Sequence, residues 1–237
     1  MRRLALHALV LLALPAAAAT PDLGEVERLI TRGTNEFRAE NRLVRLEADR
    51  ALAQAAQAFA EYMARTDRYG HDADGKQPSE RARARSYDYC LVSENISYQF
   101  STAGFGTEDL ARRYVQGWKD SPGHRRNMLE PHAVHMAAGV ARSARTGRYY
   151  AVQMFGRPRA RSIEFRVTNT ARSTVRYKVD AKAYTLGVRQ ERIHTECTPP
   201  AVTFEEAANA EGRVFRPSGG EKLRVEGDRR LVVRSER

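Results

Sequence analysis

Cysteine and tryptophan are scarce in this chain of 237 residues, which contains two cysteines and a single tryptophan. With so few cysteines, the chain is not a small domain held together by a disulfide framework. Beyond the first twenty residues it also lacks an apolar stretch of the roughly 20 residues that a transmembrane helix needs. Acidic residues number 29 against 40 basic ones, so the formal net charge is +11. An apolar content of 42% and a charged content of 29% exclude a mostly disordered chain.

The first nineteen residues have the layout of an export signal. Arg2 and Arg3 precede a run over residues 4–14 that is apolar apart from His7, and Pro15 is followed by four alanines. A positively charged start, a short apolar core and small residues at the cleavage site are typical of a secretory signal peptide. We therefore predict a signal peptide over residues 1–19 and a periplasmic or extracellular protein; a buried N-terminal helix is the alternative. Because this leader holds two arginines and no acidic residue, the chain that follows it has a net charge of +9.

The rest of the chain divides into two unlike parts near Pro158. Before Pro158, the spacing of apolar residues predicts two helices over residues 23–66, separated by a turn near Asn41, and a third helix over residues 107–119. Two strand-like segments, residues 137–140 and 149–155, predict a β-hairpin. The polar residues 69–85 predict a loop. After Pro158, apolar and polar residues alternate in short segments, which predicts a small β-sandwich or open barrel. We therefore predict an α+β chain with a first domain over residues 20–157 and an all-β module over residues 158–237.

Three polar motifs in the first part contain residue types that can bind metal ions or take part in catalysis. His71 follows a glycine, Glu94 and Asn95 precede an apolar stretch, and Ser121 and His124 follow the helix over residues 107–119. Two histidines and a carboxylate on separate segments can bind a divalent metal, with water in the remaining positions. No pair of these residues has the local spacing of metal ligands, so hydrogen-bonded loop histidines are the alternative.

The order and spacing of several motifs in residues 23–157 resemble the CAP superfamily, named for cysteine-rich secretory, antigen 5 and pathogenesis-related 1 proteins, and most of all its short bacterial branch. The domain is also called the SCP domain. The matching stretches are Asn35-Glu36-Phe37-Arg38, Leu46 with Asp49 and Leu52, Gly70-His71, Ser93-Glu94-Asn95-Ile96, Trp118 to Leu129, Ala138-Gly139-Val140-Ala141, and Tyr150 to Gly156.

The resemblance implies an α-β-α sandwich, in which helices pack on both faces of a central antiparallel sheet. It also implies a cleft lined by two histidines and acidic residues, here His71, His124 and Glu94, which in several relatives holds zinc or another divalent ion. The position of the family's second glutamate is Ser121 in this chain. This difference leaves the expected fold unchanged but removes one charged group from the expected metal site.

Two classes of function are compatible with such a cleft. The first is a secreted or periplasmic protein that binds a ligand, a surface or a divalent metal, most readily zinc, through His71, Glu94, His124, Asn95 and Ser121. The second is a metal-dependent peptidase or esterase, with Glu94 as the base that activates water. Hydrolases of this kind usually hold zinc with three protein ligands and add a separate base, so Glu94 would have to fill one of two roles. A third alternative assigns the binding role to the all-β module.

The two cysteines, Cys90 and Cys197, are expected to form a disulfide. Cysteines of exported proteins tend to pair, and no other cysteine is present. The alternative is a nucleophilic Cys90 activated by His71 or His124.

The excess of basic residues is spread along the chain rather than concentrated in one run. Aromatic residues do not alternate with a basic run, and the spacings of helix-turn-helix and zinc-finger motifs are absent. We therefore expect no nucleic-acid partner. Anionic envelope surfaces, such as lipid headgroups or cell-wall polymers, are the expected partners, and a solvated basic surface is the alternative. The sequence gives no indication of an oligomeric state.

Overall fold

The computed structural model describes residues 20–235, except residues 206, 208, 210, 211 and 228. The predicted signal peptide over residues 1–19 lies outside the described residues. The first part of the chain contains a four-stranded sheet in the order β1-β3-β4-β2. Its strands are β1 (Glu47–Ala48), β2 (Tyr89–Gln99), β3 (His135–Arg142) and β4 (Tyr149–Pro158). Strand β1 runs parallel to β3, whereas β3 with β4 and β2 with β4 are antiparallel. The predicted hairpin is therefore present, as β3 and β4.

Within the described residues, five α-helices accompany this sheet: α1 (Leu23–Glu40), α2 (Arg50–Thr66), α3 (Pro78–Arg83), α4 (Thr107–Asp120) and α5 (Pro122–Met128). Asp22 and Asp49 precede α1 and α2, and each carboxylate accepts a hydrogen bond from a backbone N–H in the first turn, as helix N-caps do. Helix α3 lies in the segment predicted as a loop. The sequence prediction was wrong there, because a six-residue helix is too short to show an apolar period.

The helices pack on both faces of the sheet because successive residues of a strand point in opposite directions. On β3, Met136 and Val140 join an apolar cluster formed with α1, α4 and α5. Their neighbours Ala137 and Ala141 join a second cluster, formed with α2 and α3. The predicted α-β-α sandwich is thereby confirmed.

Gly139 allows α2 to approach β3 closely. A Cβ atom placed on Gly139 would lie 2.4 Å from the backbone nitrogen of Gln57 and 2.5 Å from its Cα. Real Cβ atoms do not come so close to backbone atoms, and the backbone of a packed helix cannot move aside as a flexible side chain can. The glycine in the motif Ala138-Gly139-Val140 is thus required by the packing of a helix on the sheet.

The described residues of the C-terminal part form two small sheets around a third apolar cluster. One sheet has the order β11-β10-β5-β8 and the other the order β7-β6-β9. The strands are β5 (Ile163–Asn169), β6 (Val175–Val179), β7 (Lys182–Leu186), β8 (Glu191–Glu196), β9 (Val202–Phe204), β10 (Glu221–Glu226) and β11 (Arg230–Ser235). Phe165 of β5, Tyr177 of β6 and Leu223 of β10 all lie in the cluster. The all-β character predicted for this part is confirmed.

A disulfide connects the two parts of the chain. Cys90 lies at the start of β2 and Cys197 directly follows β8, and the two residues form a bond that spans 107 positions of the sequence. The predicted pairing is confirmed, and neither sulfur is available as a nucleophile while the bond is intact. Nearby, Arg159 donates a hydrogen bond to the Asp88 carboxylate across the same boundary.

Candidate ligand-binding cleft

The residues of the predicted cleft come from three elements of the first part. Glu94 lies in the middle of β2, His71 lies in the loop between α2 and α3, and His124 lies in the first turn of α5. The structure brings His71 and Glu94 into direct contact, since Nδ1 of His71 is 2.8 Å from Oε1 of Glu94. The Glu94 side chain is completely buried, whereas that of His71 is 49% exposed. The pair therefore has an acid inside the protein and an imidazole at its surface.

Arg81, on α3, holds the Glu94 carboxylate in place and was not predicted from the sequence. Its Nη2 atom lies 3.0 Å from each carboxylate oxygen of Glu94. The same nitrogen donates to the backbone carbonyl of His71 at 2.7 Å, and Nη1 donates to Asp74 at 2.7 Å. The guanidinium also lies over the ring of Phe59, 3.6 Å from its centre. Arg81 thus connects the helix, the His71 loop and β2.

These contacts determine which nitrogen of the His71 imidazole carries the proton and which nitrogen is free. Both oxygens of Glu94 accept from Arg81, and Oε1 also faces Nδ1 of His71. A carboxylate that accepts these bonds requires the proton of the neutral imidazole to lie on Nδ1. This tautomer leaves Nε2 of the half-exposed His71 side chain with its lone pair free for a ligand or a metal.

His124 is the third residue of the cleft, and a network of side-chain amides holds its backbone. Asn95 donates through Nδ2 to the backbone carbonyl of His124 at 3.2 Å and to Gln153 at 3.1 Å. Asn127 donates to the Asn95 side chain at 2.9 Å and to the Glu94 carbonyl at 3.1 Å. Asn95 is completely buried, so its amide positions α5 relative to β2 rather than presenting a polar group to a ligand.

The surroundings of the His124 imidazole disfavour its protonated form. Burial lowers its pKa from the ordinary value, and the nearby His71 lowers this pKa further. A neutral imidazole is the form that binds metal ions and accepts hydrogen bonds.

Ser121 lies where α4 ends and α5 begins. Its backbone carbonyl accepts from the Arg125 N–H at 2.8 Å, while its side chain makes no capping hydrogen bond to α5. Pro122, the first residue of α5, fixes the backbone at this junction. The structure therefore shows Ser121 in a helix junction, and its predicted role in binding remains a prediction.

The described residues offer two imidazoles, His71 and His124, and the buried carboxylate of Glu94 as donors for the predicted metal site. Within the residues that the structure describes, no group of three His, Cys, Asp or Glu side chains is placed to hold a metal ion. Both oxygens of Glu94 already accept from Arg81, and Oε1 also faces Nδ1 of His71. With Nδ1 of His71 bound to Glu94, the carboxylate instead orients a histidine ligand, an arrangement common around protein-bound zinc.

Comparison with known proteins agrees with this architecture. The profile of the cysteine-rich secretory protein family, CAP, matches residues 31–155, more than half of the chain. The chain belongs to the CAP family. Its CAP region includes all the elements from α2 to β3 and hence His71, Glu94 and His124.

Relatives of this CAP chain share about half of it. The uncharacterized membrane protein YlbC of Bacillus subtilis is 29% identical over 118 residues, which are 49% of this chain and 32% of YlbC. An outer surface protein of Borrelia burgdorferi is 18% identical with a TM-score of 0.51, and the match covers 60% of this chain and 98% of the Borrelia protein. An extracellular SCP-domain protein of Bacillus anthracis is 24% identical with a TM-score of 0.49, over 56% of this chain and 41% of that protein.

The chain therefore matches about a third of the length of YlbC. Among the helices of the described residues, none combines the length and the apolar character that crossing a membrane requires.

Proposed function

We propose that this CAP chain is exported and acts as a binding protein of the cell envelope, with the cleft of His71, Glu94 and His124 as its ligand site. Export is supported by the predicted signal peptide and by the Cys90–Cys197 disulfide, because disulfides persist in oxidising compartments. The C-terminal sheets, attached by that disulfide, contribute stability or a second binding surface.

The observation that favours binding over hydrolysis is the burial and hydrogen bonding of the Glu94 carboxylate. A general base must accept a proton from water, and its lone pairs must be accessible for this step. Glu94 is completely buried, and both of its oxygens accept from the guanidinium of Arg81. We therefore assign Glu94 a positioning role: it holds the His71 imidazole so that Nε2 is presented to the ligand.

A divalent ion, zinc in particular, would be held by Nε2 of His71 and by the imidazole of His124. It would supply a positive charge for an anionic or carbonyl group of the ligand. His71 and His124 would contribute imidazole nitrogens, and Glu94 would contribute the negative charge behind the first of them.

The proposal is tested with the mature chain, residues 20–237, by measuring its metal content and its hydrolysis of peptide and ester substrates with and without a chelator. We expect no turnover above the rate in buffer, whether or not the metal is removed. Hydrolysis that disappears with chelator and in both His71→Ala and His124→Ala would show that the cleft is a metal-dependent active site.

We also propose an anionic envelope surface as a partner, on the basis of the net charge of +9 that remains after the predicted leader. Attraction of this kind is screened by salt over about 10 Å at 0.1 M ionic strength. Sedimentation with vesicles tests it: we expect binding to anionic vesicles at low salt that weakens as salt is added. Equal binding to neutral vesicles, or no binding to either kind, would refute it.

A further inference from the structure

A cavity of about 340 Å³ lies between α2 and α3. Its apolar lining comes from Ala55, Ala58, Phe59 and the ring of Tyr62 on α2, with Ala84 after α3. Cavities that hold small organic molecules in proteins have volumes from about 300 Å³ upwards and are lined mostly by apolar and aromatic groups. The size therefore matches that of a small-molecule site, and the lining combines apolar side chains with charged ones.

The rim of this cavity carries an excess of positive charge. Arg65, Lys76 and Arg85 line it and are exposed, and none of them forms an ion pair within the described part of the chain. The acidic residue of the lining, Asp74, accepts from Arg81 at 2.7 Å and from the Lys76 N–H at 3.1 Å. Asp74 shares the charge of Arg81 with Glu94, so the three rim cations outnumber the one carboxylate of the lining and can attract an anion.

The inner wall of the cavity contains the buried arginine of the cleft. The Arg81 side chain is 5% exposed, and its Nε is buried without a hydrogen-bond partner among the described residues. An unsatisfied buried donor costs free energy. The same guanidinium supports Glu94 and the His71 loop, so the cavity and the histidine cleft share one wall.

We propose that this cavity binds a phosphate monoester carried on a short apolar group. Guanidinium and ammonium groups, such as those of Arg65, Arg85 and Lys76 on the rim, bind phosphate oxygens through charge-assisted hydrogen bonds. The apolar group of the ligand then contacts Phe59 and the alanines of α2. This site is separate from the His71 and His124 imidazoles, and its occupancy does not require the proposed envelope function.

The test is calorimetric titration of the mature chain with hexyl phosphate, which carries both features of the proposed ligand. The pocket variant Lys76→Gln/Arg85→Gln removes two rim charges. Its matched control, Arg45→Gln/Arg126→Gln, removes two exposed arginines that do not line the cavity, so the net charge falls equally. We expect the pocket variant to weaken hexyl phosphate binding by about tenfold or more, as the loss of two charge-assisted contacts implies, and the control to change it less than about twofold. Inorganic phosphate should bind more weakly than hexyl phosphate, because it lacks the apolar group.

Three results would overturn the proposal: no binding of hexyl phosphate at millimolar concentration, an equal loss in both double variants, or equal affinity for inorganic phosphate and hexyl phosphate. Sedimentation with phosphatidic acid vesicles then identifies the source of the phosphate. Vesicle binding that is lost in the pocket variant alone supports a lipid headgroup, whereas hexyl phosphate binding without vesicle binding supports a free phosphate ester.

Discussion

Arg81 and Glu94 form a buried ion pair in which one guanidinium nitrogen lies 3.0 Å from both carboxylate oxygens. The exposed fractions of the two side chains are 5% and 0%, so neither charge is well hydrated. Removing one member of such a pair leaves the other buried and unpaired. The pair therefore positions the His71 side of the cleft, because His71 is bonded to one member through its side chain and to the other through its backbone.

We predict that Arg81→Met lowers the free energy of unfolding by about 3–5 kcal/mol, the usual cost of an unpaired buried charge. Urea denaturation followed by circular dichroism measures this loss. Arg83→Met, on the same short helix but exposed, is the control and should cost about 0.5 kcal/mol or less. Replacing both partners in Arg81→Met/Glu94→Leu should recover part of the loss, because Glu94 is no longer left unpaired while Asp74 still lacks its partner. A double variant as unstable as the sum of its single variants would disprove the coupling.

The close approach of α2 to β3 predicts that Gly139→Ala is destabilising. The added methyl group would overlap the backbone at Gln57, and overpacking of this kind costs about 1–3 kcal/mol or more. Gly117→Ala in α4 is the matched control, because a Cβ there meets no atom within 4 Å. The control should gain about 0.5–1 kcal/mol from higher helix propensity. Thermal melting compares the two variants, and equal effects would contradict the packing argument.

The Cys90–Cys197 disulfide predicts that native and unfolded protein contain no titratable thiol before reduction. The double variant Cys90→Ser/Cys197→Ser should lose about 2–5 kcal/mol of stability, since the bond restricts a long loop of the unfolded chain. Its melting temperature should no longer respond to a reducing agent, whereas that of the parent chain should fall. Two thiols that react in the unreduced, unfolded parent chain would exclude the bond.

His194 predicts a pH dependence in the C-terminal sheets. It is 5% exposed, its Nε2 lies 2.8 Å from the hydroxyl of Tyr177, and its pKa is lowered from 6.5 by burial and then by Arg192 and Lys182. A lowered pKa in the folded state means that the unfolded chain takes up the proton first as the pH falls.

The contribution of neutral His194 to the free energy of unfolding is therefore fully present above about pH 6.5. It is lost as the pH falls through the folded-state pKa of His194. His194→Gln keeps a hydrogen-bonding group and does not titrate, so the difference in stability between parent and variant should change with pH in this window. Urea denaturation at about pH 7.5, 6 and 5 measures it, and a constant difference would show that His194 is not linked to folding.

The resemblance of the sequence motifs to the CAP family was sufficient to predict the sandwich fold, and the spacing of apolar residues predicted the hairpin. The same motifs contain His71 and Glu94, whose role in binding remains a prediction. These features depend on the order and spacing of residues along the chain, and Gly139 shows how a motif residue reflects a packing requirement. Arg81 was not predicted, because its partner Glu94 is on another element, thirteen positions later, and only tertiary packing brings the two together. A local signal for α3 was present: Pro78 is its first residue, and Glu80 accepts from the Gln77 N–H at 2.7 Å, as in a capping box.

The amide network around Asn95 also depends on tertiary contacts that the sequence alone does not reveal. A buried asparagine and an asparagine that contacts a ligand look alike in a sequence. The contacts of Asn95 with Gln153 and Asn127 involve residues 58 and 32 positions away. Whether such a side chain faces the cleft or the protein interior is determined by the packing of α5 on β2.

The most direct test of the account is calorimetric zinc titration of the mature chain beside His71→Ala, His124→Ala and Glu94→Gln, with circular dichroism to verify that each variant is folded. If Glu94 positions His71 without binding the metal, Glu94→Gln should weaken zinc binding about 10–100-fold, as the loss of a group that orients a ligand does, while each histidine variant should lose it altogether. A Glu94→Gln variant that is folded and loses zinc binding as completely as the histidine variants would contradict the account, because Glu94 would then be a ligand itself.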